Sequence, residues 1–337
     1  MKNDAWNQLF EFESKDLLQQ YFKDVYALEA MDWKVREISS NVIQAREYFR
    51  STRLADISVK PLLLYYGVLS LSRALVLVLN PKKRECTLKA SHGLSISNWS
   101  ETIESRNFQK LRVVIGTGSF SETVIATENQ MYFRFRSSAR EFKAGLTIPP
   151  SGTEVDLEKV FMYLPDLYEE YQLWTGSQLP FGLLEGSERI GDFLKFSLYK
   201  RNATRELAEQ IFPVEYCKER QIEDNGETIK IKFKDEGTWG PNYAQKWYGV
   251  FDMPELCVVP VLGNDIGFTS LSAMFLVSYV LGMMVRYYPT TWISIGSVQK
   301  GDRIFPLINR TLQLIEHKYP EIVLDYLQGK RAQAILA

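Results

Sequence analysis

Residues 60–81 read Lys-Pro-Leu-Leu-Leu-Tyr-Tyr-Gly-Val-Leu-Ser-Leu-Ser-Arg-Ala-Leu-Val-Leu-Val-Leu-Asn-Pro. The run is apolar nearly all round, with a proline toward each end and one arginine, Arg73, inside. A helix with apolar residues on every side has to be buried. Pro61 suits its first turn, where a missing N–H costs nothing. Asn80-Pro81 stops it. An arginine at the centre of a spanning helix costs roughly 2.5–3.5 kcal/mol on insertion scales. The segment therefore reads as the central helix of a soluble core. A second run, residues 268–285, is uncharged but dotted with Ser, Thr and Gly, and Arg286 ends it. It reads the same way, and no membrane partner is expected.

Each of these helices is too apolar to stand alone in water, so they most economically bury one another. They lie toward opposite ends of the chain. The expectation is a mainly α protein with an α+β insertion, its helical core built from both termini. Residues 1–92 and 266–337 form that core, and residues 93–265 are the insertion. A chain of 337 residues suffices for one large or two ordinary domains. The formal net charge of −1 supplies no overall drive toward nucleic acid or anionic membrane. Three scattered cysteines and two histidines suggest neither a disulfide framework nor a metal site, and no cofactor is expected. The first residues carry no apolar signal region, so the expected location is the cytoplasm.

Along the chain, residues 16–30 and 33–49 read as helices, and 50–59 as a more polar break. Residues 110–115 read as a strand, 116–119 as a turn and 122–126 as the return strand. Residues 131–136 end in alternating Phe and Arg, the pattern of an edge strand. A short helix is expected at 156–171. Residues 192–212 suit strand or helix equally. Residues 215–222 and 228–233 form a hairpin around Asp224-Asn225-Gly226, because Asn-Gly tolerates positive φ. A helix over 268–288 is followed by a loop, a helix from Asp302 to Tyr319, a break at Pro320 and a last helix at 321–327.

Arg310 and His317 stand seven residues apart on that late helix, two turns on one face. An arginine that stabilises phosphate charge beside an imidazole acid or base is the minimum kit for metal-free RNA cleavage. A solvated helix face would carry the same residues. His92, in Ser-His-Gly-Leu after the central helix, could bind phosphate or serve as a base; a histidine there also suits bonding to a helix end. Arg73 and Tyr65 or Tyr66 are its candidate companions. Arg134 and Arg136, interleaved with Phe133 and Phe135, could hold single-stranded nucleic acid by charge and stacking, or simply form a two-faced strand. Trp239 and Trp247, in an aromatic-rich stretch, suit a pocket or interface as well as they suit internal packing.

The segment from Lys60 through Arg73-Ala74-Leu75, followed by His92-Gly93-Leu94, resembles the bacterial YaaC-like proteins. Arg286-Tyr287-Tyr288-Pro289 and Glu316-His317-Lys318-Tyr319-Pro320 carry the resemblance to the C-terminal part. The helix-plus-histidine pattern is further similar to HEPN-type helical domains. That likeness implies a place in a prokaryotic defence or toxin–antitoxin module, acting through binding and assembly with a protein partner or as a homodimer. It also implies an alternative, a metal-independent endoribonuclease acting on RNA with Arg310 and His317 across a dimer. Thr311 stands where the HEPN motif usually has Asn, Asp or His. A third reading is a sensor of a nucleotide or small ligand, with its pocket near His92 or Trp239.

Overall fold

The computed structural model describes residues 5–130, 146–200, 203–212, 214, 217–234, 244–247, 255–260, 262, 266–296 and 303–336. Four helices open the chain: α1 (Ala5–Leu9), α2 (Lys15–Tyr26), α3 (Asp32–Leu54) and α4 (Lys60–Leu79). A mixed stretch follows: β1 (His92–Ile96), α5 (Trp99–Ser105), β2 (Arg112–Gly118), α6 (Ser119–Ala126), β3 (Glu154–Asp156), α7 (Leu157–Phe161) and α8 (Tyr168–Thr175). Next come β4 (Gly182–Ile190), β5 (Phe193–Tyr199), α9 (Arg205–Ile211), β6 (Gln221–Asp224), β7 (Thr228–Lys234), β8 (Ala244–Trp247) and β9 (Glu255–Val258). The chain closes with α10 (Ser270–Tyr287), α11 (Pro289–Gly296) and α12 (Ile304–Leu336). The protein is mainly helical, with two antiparallel sheets ordered β1-β2-β3 and β6-β7-β5-β4-β9-β8.

α4 is the hub, packed by α3, α10, α12 and α6. By length and composition α4 and α10 could each cross a membrane. In this structure they bury their apolar surface in the protein, and Ser270 through Val285 are buried without interruption. Two glycines permit the close approach to α4. A Cβ at Gly67 would lie 2.8 Å from the Phe49 ring of α3, and one at Gly282 would lie 3.0 Å from Tyr65 Cβ. Residues from both ends of the chain thus share one core, from Trp6 to Leu327. Segment 93–265 contributes to it through Val113, Phe120, Phe161, Trp174 and Phe181. A second, smaller core forms where α9 covers one face of β5 and β7, around Phe196, Leu198, Ile229, Ile231 and Phe233.

Four local expectations need correction. Residues 119–126 are the helix α6 rather than a turn and return strand. Its Phe120, Thr123 and Val124 recur at helical spacing and are buried, and α6 packs on α4. The helix expected at 156–171 is broken: α7 ends at Phe161, and a 3-10 turn at Pro165–Leu167 precedes α8. Residues 289–296, expected as loop, are helix α11, with Pro289 at its first position. Trp292 Nε1 anchors it by donating to the Ile57 carbonyl at 3.0 Å. Pro320 does not end α12. A proline inside a helix costs about 3 kcal/mol. Burial of Tyr319, Ile322, Val323, Tyr326 and Leu327 around it outweighs that cost. The undecided stretch 192–212 holds both types, β5 and then α9, and the Asn-Gly hairpin forms as β6 and β7. Strand 131–136 lies outside the described residues.

Candidate functional site

Tyr65 and Tyr66 are neighbours on α4 and so point about 100° apart around it. Tyr65 is fully buried. Its ring meets Phe275 and Tyr279 of α10 edge-on and packs 5.4 Å from the ring of His92. Tyr66 reaches the surface, stacking on Tyr48 of α3 with 5.7 Å between ring centroids.

His92 is delivered to this place by glycines. Gly93 has φ +75°, a backbone that side chains disfavour, and it lies against Gly118, where a Cβ would come within 2.3 Å of Gly93 N. The contact presses Ser91-His92-Gly93 onto the start of α6. The Ser91 carbonyl accepts from Ser119 N at 2.9 Å and from Ser119 Oγ at 3.1 Å. The Ser91 hydroxyl donates to the Thr117 carbonyl at 2.9 Å. Ser91 therefore serves the helix end, and the imidazole of His92 is left free to face α4.

The Tyr65 hydroxyl lies 2.5 Å from His92 Nδ1. Burial pushes the Tyr65 phenol far above its ordinary range, so it keeps its proton. A buried hydroxyl needs an acceptor, and Nδ1 is the one it reaches. That bond fixes the tautomer: Nδ1 accepts and Nε2 carries the ring proton. Burial also lowers the His92 pKa, and the positive charge of Arg286 lowers it further. The imidazole is half-buried and neutral at pH 7.

α10 supplies the third wall. Tyr279 donates to the Leu94 carbonyl at 2.9 Å, tying β1 to α10. Arg286 follows seven residues later on the same face, in the last turn, where a cation complements the helix dipole. Its Nη1 donates to Tyr66 Oη at 3.2 Å, and its guanidinium lies 5.1 Å over the Tyr287 ring. Arg286 is exposed, while His92 and Tyr66 are half-exposed. The Arg286 guanidinium and the Tyr66 hydroxyl thus meet at the surface, and the half-buried His92 lies close enough to Arg286 to feel its charge. Among the described residues no carboxylate pairs with Arg286, His92 or Tyr66. Among the described residues, no three His, Cys, Asp or Glu side chains converge as metal ligands do.

The other sequence-selected residues lie apart from this cluster. Arg73, half-buried on α4, donates to the Lys89 carbonyl at 3.5 Å and pairs with Glu85 at 3.9 Å. It ties segment 85–89 to α4. Arg310 and His317 are both exposed on the outer face of α12. Between them, buried Glu316 pairs with Lys60 at 2.7 Å, at the N-terminus of α4, and lies 3.7 Å from Arg53. Trp247 ends β8, in register with Glu255 of β9. Arg134, Arg136 and Trp239 lie outside the described residues. Sequence reading did not select Tyr279 or Arg286. The available signal was their seven-residue spacing, with one cation closing an uncharged helix.

The chain is a mainly helical protein with two small antiparallel sheets and a Tyr-His-Arg cluster where its central helix pair meets β1. The model of the YaaC-like protein family matches residues 10–327, and the chain belongs to that family. No curated protein and no solved structure matches the chain.

Proposed function

We propose that the protein acts by binding, and that His92, Tyr66 and Arg286 seat a small anion: the phosphate or carboxylate group of a nucleotide or similar small ligand. The observation that carries this reading is the Arg286–Tyr66 hydrogen bond. It holds an exposed guanidinium in place with one of its five N–H donors and leaves the Tyr66 O–H free to donate outward. The rings of Tyr48, Tyr66 and Tyr287 stand ready for the flat part of such a ligand. A neutral His92 adds a directed donor, and a bound anion would stabilise its protonated form. The protein would act in the cytoplasm as the sensing and assembly component of a module such as those of prokaryotic defence or toxin–antitoxin systems. Assembly with a protein partner or a second copy is supported by Leu54 and Ile293. They are 92% and 58% exposed, in the region where Trp292 holds the Ile57 carbonyl. The test is calorimetric titration of the purified protein with orthophosphate and with nucleoside monophosphates. Saturable binding that Arg286→Gln weakens at least tenfold is expected. Equal heats from wild type and Arg286→Gln would refute the site.

One observation favours a second reading, metal-independent RNA cleavage by Arg310 and His317 across a homodimer. Both side chains are exposed on one face of α12, where a second copy could meet them. RNA cleavage in EDTA that Arg310→Ala and His317→Ala each abolish, with folding intact, would establish it. No cleavage of several kinds of RNA by the parent protein would dismiss it.

A further inference from the structure

Among the described residues, α9 covers one side of the sheet of the second core. Phe196, Leu198, Ile229, Ile231 and Phe233 point inward beneath α9. Side chains alternate along a strand, so the opposite face carries Phe193, Lys195 and Tyr199 of β5 and Lys230, Lys232 and Lys234 of β7. Four lysines on two adjacent strands contrast with a whole-chain net charge of −1.

Two features set this face apart from an ordinary solvated one. Lysines often guard the edge of a sheet against pairing with other chains. Here β5 and β7 are interior strands, flanked by β4 and β6, so edge protection does not explain them. Lys195 and Lys232 are also direct cross-strand partners, and like charges placed opposite each other weaken a sheet. Lys195 is offset by Glu188 at 2.6 Å and Lys234 by Glu219 at 3.6 Å. Glu223 stands in register with Lys230. Among the described residues Lys230 and Lys232 form no ion pair. Lys232 Nζ instead sits 4.6 Å over the ring of Phe193.

We propose that this outer face binds single-stranded nucleic acid. The lysines of β7 lie about 7 Å apart along the strand, and they would follow a phosphodiester backbone. Phe193 and Tyr199 lie about 20 Å apart on the same face of β5, and bases would stack on them. Tyr199 is 43% exposed. Phe193 and the four lysines are half-exposed, and basic side chains combined with aromatic platforms on a sheet face are the chemistry of sequence-tolerant single-strand binding.

The test is fluorescence anisotropy of labelled oligouridylate and oligothymidylate across a salt series. Each phosphate neutralised contributes about 0.7 to the slope of log K against log salt. Lys230→Gln combined with Lys232→Gln should therefore flatten the slope by about 1.4 and weaken binding about tenfold or more. Tyr199→Ala should weaken binding with the slope unchanged. Lys230→Arg with Lys232→Arg should restore it. Ultraviolet crosslinking of the unaltered protein should place RNA on peptides from residues 193–199 or 228–234, whatever the substitutions do to folding. Wild-type affinity in the Gln variant, crosslinks only elsewhere, or an unchanged affinity in Tyr199→Ala would overturn the proposal. So would tighter lysine-dependent binding to phosphatidylserine vesicles than to either oligonucleotide, which would make this a membrane-facing surface.

Discussion

Tyr65 of α4 and His92 of β1 are 27 residues apart in sequence, and the hydroxyl of one lies 2.5 Å from Nδ1 of the other. The bond joins the central helix to the first strand and sets which imidazole nitrogen carries the proton. Removing only the hydroxyl isolates its contribution. Tyr65→Phe should cost about 1–2 kcal/mol, since it leaves Nδ1 without its donor while the ring still packs. Chemical denaturation measures the cost. Nitrogen-15 spectra of the imidazole should show the Nε2–H tautomer losing its dominance.

The lowered pKa of His92 has a definite sign in stability. The unfolded chain protonates this histidine near pH 6.5, while the folded chain resists until lower pH. Between those values the unfolded state holds more protons, so stability falls as pH drops through about 6.5. His92→Gln should remove this slope. Melting temperatures across the acid range, compared between the two proteins, check it.

A different buried cation governs the alkaline side. Lys34 is 1% exposed and donates to the Asn80 carbonyl at 3.0 Å and the Lys83 carbonyl at 2.6 Å, clasping the end of α4. Burial lowers its pKa to about 8. Unfolded lysine titrates near 10.4, so the unfolded state binds more protons between the two values and stability rises with pH across that window. The neutral amine keeps two N–H donors for its two carbonyls. Lys34→Met should cost about 1–3 kcal/mol near neutral pH by orphaning both. The gap to wild type should widen from pH 8 to 10, as measured by urea denaturation.

At Gly282 the α4–α10 contact is set by space. A Cβ there would meet Tyr65 Cβ at 3.0 Å, tighter than ordinary contact. Neither backbone can retreat without opening the core. Gly282→Ala should destabilise by about 1–3 kcal/mol as an overpacking change, despite the higher helix propensity of alanine. It should also shift the His92 resonances by moving Tyr65.

The parts of this fold legible in the sequence are those where local and tertiary demands agree. α4 and α10 are apolar on all sides, so their sequences alone imply burial against each other. The Asn225-Gly226 hairpin was legible because its turn chemistry is specific. α6 was misread because Gly116-Thr117-Gly118-Ser119 resembles a hairpin turn; the chain instead needs Gly118 small to admit Gly93. α12 runs through Pro320 because packing around Tyr319, whose hydroxyl lies 2.6 Å from Ser72 Oγ, overrides a local breaker. His92 and Tyr66 were selectable as residue types. Their joining with Arg286 was not, because the cluster draws on three segments spread over more than two hundred residues, and no local spacing records that.

The chain contains only two histidines, His92 and His317, which makes the most direct measurement simple. Imidazole resonances are followed by NMR while orthophosphate is added at constant ionic strength. An anion seated by Arg286, Tyr66 and His92 should raise the His92 pKa and shift its signals saturably, with His317 unmoved and the response lost in Arg286→Gln. Unchanged His92 signals, or equal shifts at both histidines, would contradict the site.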